Sequence, residues 1–167
     1  MVLPGRDALG RVLHPINVPA VSAEKREWLR TRHSDRLAAQ PRLAELRERL
    51  IALAGGEACF AQREPDLEAI LERGQVFSGR CRLIRGERNQ CHANAGNLWE
   101  NNRGQLPIAI VTGYALSDDG LWRQHSWLIA KPGRRWTVIE TTCRRLLYYG
   151  MVLTQEEARH HADSNPY

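Results

Sequence analysis

Apolar residues change their rhythm near the middle of the chain. Over residues 22–74 they recur every three or four positions, the spacing of helices with one buried face. Ser22 can cap a helix running toward Ala39, and Pro41 interrupts it. A second helix carries Leu43, Leu46, Leu50 and Leu53 on one stripe and stops at Gly55-Gly56. A third starts near Pro65, turns Leu67, Ile70 and Leu71 inward and ends at Gly74. Residues 75–86 read as a short extended segment. Residues 91–102 form another helix, with Ala95, Leu98 and Trp99 on the face of Cys91.

From residue 107 onward the pattern is that of strands. Runs at 107–116, 121–130 and 135–141 are joined by Ser-Asp-Asp-Gly and Lys-Pro-Gly-Arg, both hairpin signals. Residues 144–153 add a further extended segment, and Thr154-Gln-Glu-Glu157 is a capping box for a terminal helix. Helices followed by an antiparallel meander predict an α+β fold, with N-terminal helices and a Cys-bearing helix packed on the sheet. The chain divides into a Pro/Gly-punctuated arm (1–21), a helical half (22–87), a core bearing the chemistry (88–153) and a helix with tail (154–167), all in one domain.

Composition narrows the function classes. At 167 residues, 43% apolar and 26% charged, the chain is neither collagen-like, low-complexity nor generally disordered. No apolar run approaches the roughly 18–20 residues of a membrane span, and the N-terminus shows no secretory signal. The expectation is a cytoplasmic protein with free thiols and no membrane partner. Net charge is +5, with Arg supplying 22 of the 24 basic residues. Acids are interspersed among them, so a solvated Arg/Glu surface is the expectation, and a nucleic-acid or acidic partner held by the arginines of 80–88 is the weakest partner class. The four cysteines are irregularly spaced. Cys81, Cys91, His92 and His125 fit no short zinc pattern, so neither metal nor cofactor is expected.

The candidate chemistry lies in the second half. A short loop at Pro132-Gly133 would place His125 directly across from Glu140, where a ring N–H can be donated to the carboxylate. Taking Asp119-Gly120 as a two-residue turn would place Tyr114 across from His125. The shared face then reads Ile110, Thr112, Tyr114, His125, Trp127, Ile129, Trp136, Val138 and Glu140. Cys91, at the first turn of the covering helix, meets free N–H groups and the helix dipole, both of which favour a thiolate. Arg80, Arg82, Arg85 and Arg88 push the same way. Cys91 as nucleophile, His125 as base and Glu140 as orienter form a complete set for covalent catalysis. The Cys91 N–H can serve a developing oxyanion, with Gln90 or another amide as second donor. Asn94, Tyr114 and Trp127 are the remaining substrate-side candidates, with packing as the alternative role of the aromatic pair. His92 is expected to face away from the sulfur, the other three thiols to be inert, Trp99, Trp127 and Trp136 to pack in the core, and His160-His161 to lie in an exposed tail.

Cys91 at a helix start, Gly113-Tyr114, His125-Ser-Trp127, Trp136 and Glu140-Thr-Thr142 resemble the core of the transglutaminase-like cysteine enzymes, relatives of the papain-like fold. The resemblance covers about residues 88–143 and departs from the family pattern in having Glu140 where an Asp is usual. It implies acyl transfer from a peptide, protein or small amide through a Cys thioester, by hydrolysis, deamidation or transamidation, with no cofactor. Cys91-x-x-Asn94 has a smaller likeness to the arylamine N-acetyltransferases, an N-acyltransferase alternative. A catalytically idle binding module on the same scaffold is the other alternative. A toxin-like effector acting on host proteins is one biological setting for the first reading. The sequence leaves substrate and oligomeric state open.

Overall fold

The computed structural model describes residues 5–60 and 63–166. The helices fall where the periodicity puts them. Helix α1 spans Ala23–Ala39, with the Ser22 hydroxyl accepting from the Lys25 N–H, and α2 spans Leu43–Ala54. Leu43, Leu46 and Leu50 of α2 are fully buried. Each such leucine contributes about 1.5–3 kcal/mol relative to an exposed one. Helix α3 is Leu67–Arg73, α4 is Cys91–Asn102 and α5 is Gln155–Ser164, the last opened by the Thr154–Glu157 capping box. The strands are β1 (Glu57–Cys59), β2 (Gln75–Ser78), β3 (Cys81–Leu83), β4 (Ile108–Leu116), β5 (Leu121–Ala130), β6 (Thr137–Glu140) and β7 (Leu147–Val152).

The architecture is α+β, with a mostly antiparallel sheet of order β2-β7-β4-β5-β6-β3. The meander β4-β5-β6 is present as expected. The helical half also contributes three short strands: β1 runs parallel to β5, β3 parallel to β6, and β2 antiparallel to β7. One sheet face carries the larger core, where Ile110, Tyr114, Trp122 and Leu128 meet α2, α3 and α4 through Leu46, Ile70 and Trp99. The other buries Phe77, Val111, Trp127, Val138 and Tyr148, with Leu9 of the N-terminal arm against them. Asp7 ties that arm down: its buried carboxylate accepts from the N–H groups of Leu9, Arg11 and Ser78.

Both hairpin registers differ from the sequence expectation. In β4–β5, Gly113 lies opposite His125 and Tyr114 opposite Gln124. The Ser117 N–H bonds the Leu121 carbonyl, so the loop is Asp118-Asp119-Gly120, one residue longer than the two-residue turn. Gly120 takes the left-handed conformation (φ 78°) that such three-residue loops require. A one-residue change of register reverses every side chain's face, so Ile110, Thr112 and Tyr114 lie on the opposite face from His125. In β5–β6, Ile129 pairs with Val138 rather than Trp136. This slip is two residues, so His125 and Glu140 keep a common face. Trp136 falls in the loop and is 37% exposed, not in the core.

Beneath His125 the sheet narrows. Gly113 and Gly150 are register partners in β4–β7. A Cβ on Gly113 would meet the Tyr149 carbonyl oxygen, with Gly150 Cα only 2.5 Å away. One on Gly150 would meet the Thr112 carbonyl oxygen and lie 2.7 Å from the Trp127 ring. Backbone atoms cannot yield as side-chain tips do, so Gly113→Ala is expected to destabilise the fold by about 1–3 kcal/mol. Urea unfolding followed by far-UV circular dichroism measures this.

Candidate active site

Strand β5 is paired along one edge by β4 and in two pieces along the other. Strand β1 pairs Leu121–Arg123 through Glu57–Cys59, and β6 pairs 128–130. Among the described residues, 124–127 have no ladder partner on that second edge. His125 sits in this interval, and β6 ends on Glu140 beside it. The β3–α4 connection leads from the outer flank of β6 to the first residue of α4, Cys91. Three segments distant in sequence therefore end at one place.

His125 Nε2 lies 2.8 Å from Glu140 Oε2. Extending the β6 register puts Trp127 opposite Glu140, so His125 reaches the carboxylate on the diagonal. The longer Glu side chain spans that offset. Both residues are buried, His125 at 2% exposure and Glu140 at 0%. Every oxygen of Glu140 is occupied. Oε2 also accepts from the Tyr148 hydroxyl at 3.0 Å, and Oε1 accepts from the N–H groups of Thr141 and Thr142 and the Thr142 hydroxyl. With Nε2 committed to Glu140, Nδ1 is the ring nitrogen left for the half-buried Cys91 thiol, which lies within hydrogen-bonding reach of His125. Trp127 and Tyr148 lie nearly parallel to the imidazole, with centroids 6.2 and 6.3 Å away.

The electrostatics follow from this packing. Burial opposes charge on Glu140, but the bonds and charge of His125 and the Thr142 donors outweigh it, and the carboxyl falls to about 2. Burial likewise opposes charge on His125, and Cys91 and Glu140 together raise it to about 9. Burial pushes the Cys91 thiol up, and hydrogen bonds and charge from His125 and His92 bring it down to about 5. The lowering comes from two imidazoles, not from the arginines of residues 80–88. A thiolate–imidazolium pair is the favoured form at neutral pH.

The other sequence candidates are placed variously. Gln90 is the exposed N-cap of α4, with no side-chain cap bond. The buried Asn94 clamps the preceding loop, its Oδ1 accepting from the Glu87 N–H and its Nδ2 donating to the Glu87 carbonyl. That amide is occupied in shaping the approach to Cys91 rather than offered to a ligand. Tyr114 is on the far face and donates to buried Glu64 at 2.8 Å, so it does not join His125. Trp127 is fully buried against His125 and walls no groove. His92 does not turn away: its Nδ1 lies 2.8 Å from Ser126 Oγ, which donates to Thr112 Oγ1, and its ring is within reach of the Cys91 sulfur. His161 is half-buried against His92, centroids 5.7 Å apart, and burial with the neighbouring His92 charge lowers it to about 4. His160 is exposed as expected.

Glu64, Gln124, Ser126 and Tyr148 were missed from sequence. Glu64 is buried, takes bonds from Tyr114 and Gln124, and is raised by burial. The signal for Ser126 and Gln124 was their alternation with His125, hidden by the register error. No family model, curated protein or solved structure matches the chain in comparison with known proteins.

Proposed function

We propose that the protein is a thiol-dependent acyl-transfer enzyme acting on an amide or peptide through a Cys91 thioester. The observation that carries this reading is His125, buried between the Glu140 carboxylate on Nε2 and the Cys91 thiol at a helix start. The order of the parts, with Cys on a helix, His on a strand and the acid at the end of the next strand, supports a transglutaminase-like core with Glu in the acid position.

In this reading the Cys91 thiolate attacks the carbonyl carbon of the substrate amide. The developing oxyanion is met by the Cys91 N–H, which has no intrahelical acceptor, and by the Gln90 side-chain amide. The His125 imidazolium gives its proton to the leaving amine as the C–N bond breaks, leaving an S-acyl enzyme and neutral His125. His125 then takes a proton from water or an acceptor amine. The acceptor attacks the thioester, the C–S bond breaks, and the thiolate–imidazolium pair is restored. Glu140 holds the ring orientation throughout and stabilises its charge.

The test needs no knowledge of the natural substrate. p-Nitrophenyl acetate should release one equivalent of p-nitrophenolate per chain in a burst, with the acetyl group found on Cys91 by peptide mass mapping. Iodoacetamide at pH 6 should label Cys91 at least about ten-fold faster than Cys59, Cys81 or Cys143, because ordinary free thiols are mostly protonated there. Equal labelling of all four thiols, or a Cys91→Ala protein that keeps the burst, would overturn the proposal.

A further inference from the structure

A cleft of about 1000 Å³ lies between the N-terminal arm, β3 and the β5–β6 loop. Arginine dominates its walls: Arg6 and Arg11 from the arm, Arg80 and Arg82 from around β3, and Arg134 and Arg135 from the loop. Among the described residues no Asp or Glu lines it. The nearest carboxylate on the arm, Asp7, is buried and already paired with Arg11 at 2.7 Å. Among the described residues, Arg80, Arg82, Arg134 and Arg135 take part in no ion pair. Among the described residues, some surface arginines elsewhere pair with acids, as in Arg123–Asp119 and Arg73–Glu157, and others, such as Arg26 and Arg88, do not; what sets the cleft apart is that several unpaired guanidinium groups share one concavity. Four unpaired guanidinium groups around one concavity repel one another, and an anion placed among them relieves that repulsion.

The same cleft holds one flat aromatic. Trp136 lines it and is 37% exposed, although a tryptophan in an apolar rhythm was expected in the core. Among the described residues no ring or cation stacks on it. Guanidinium forks match phosphate geometry, and an unoccupied indole face accepts a nucleobase. The volume stands at the upper end of small-molecule sites, enough for a ring and its phosphates together.

We infer that this cleft binds a nucleotide, with its phosphates among Arg80, Arg82, Arg134 and Arg135 and its base on Trp136. The site stands apart from the Cys91 reading and does not rest on it. The nucleotide can come free or as a unit of a single strand, and the experiment separates these sources. Binding to the full chain is measured with mant-ATP by fluorescence and with a fluorescein-labelled 20-nucleotide oligouridylate by anisotropy, at 50 and 200 mM salt. Tight mant-ATP binding alone assigns a free nucleotide; oligouridylate binding alone assigns a strand. Whichever probe binds should weaken at least about ten-fold in the R82Q/R135Q variant, with a shallower salt dependence. It should weaken about five-fold or more in Trp136→Ala, from loss of stacking. All three positions are solvent-exposed, so these variants should fold, and Cys91 labelling should be unchanged in them. A labelled decaglutamate peptide should bind at least ten-fold more weakly than the nucleotide probe. The inference is overturned if neither nucleotide probe binds, if either variant binds as the parent does, or if decaglutamate binds as tightly.

Discussion

His125→Ala is expected to slow acetylation of Cys91 by p-nitrophenyl acetate at pH 6 by about 10²-fold, within the range of a lost acid–base partner. The imidazole is the larger of the two influences that hold the sulfur as thiolate, and its removal returns the thiol toward an ordinary range. His92 still favours the thiolate, so the loss falls short of complete. Alanine also strips a partner from a buried carboxylate and threatens the fold. His125→Gln is therefore the paired variant: its amide can still donate to Glu140 but cannot exchange a proton with sulfur. It should fold, with a urea midpoint between those of the alanine protein and the parent, and acylate as slowly as the alanine protein. In the parent, the acylation rate should rise through about pH 5 and then level, since p-nitrophenolate leaves without a proton. With an amide substrate the leaving amine needs one, and the rate should fall again through about pH 9 as His125 loses its proton. A rate at pH 6 unchanged in His125→Gln would remove the imidazole from the chemistry.

Glu140→Leu should cost about 3–5 kcal/mol of stability at pH 7, the largest effect expected of any substitution at the site. Five donors converge on this fully buried carboxylate, and leucine leaves the buried His125, Tyr148 and Thr141 groups among them without an acceptor. The carboxyl titrates at about 2 in the fold against an ordinary 4.5. A depressed acid contributes stability that is in place above pH 4.5 and is lost as the pH falls through 2; the shift corresponds to about 3 kcal/mol. His125 has the opposite sign. It is raised to about 9, so its contribution is whole below pH 6.5 and lost as the pH rises through 9. Urea midpoints of parent and Glu140→Gln should therefore differ most near pH 5–6 and converge toward pH 2. A gap that stays constant down to pH 2.5 would show that the carboxylate charge contributes nothing to the fold.

Much of this is legible in the sequence. The leucine stripe of α2, the Ser22 cap and the Thr154 capping box are local signals, and local signals survive folding because the period or the hydroxyl that carries them is the cause of the element. The His125–Glu140 pair was also found, by hairpin registers of which one was two residues off and the other one residue off. The two-residue slip was harmless because strands alternate with period two. The one-residue slip was not: Asp118-Asp119-Gly120 makes a three-residue loop, and Tyr114 went to the far face and into a bond with Glu64. Loop length is decided by whether Ser117 and Leu121 close a pair, and composition alone does not encode that.

The amino-acid order alone therefore pointed to the α+β class, to most helix limits and to a common face for His125 and Glu140, since each rests on spacing along the chain. Which imidazoles flank the sulfur, and where the arginines go, depended on the tertiary fold. His92 turned toward Cys91 because Ser126 and Thr112 gave its other side a polar anchor on the neighbouring strands. Arg6, Arg82 and Arg135 are separated by scores of residues and by intervening acids, and read along the chain they look like a diluted charge. Strand pairing brings their segments together and leaves the acids elsewhere, because electrostatic potential depends on distance through space and not on distance along the backbone.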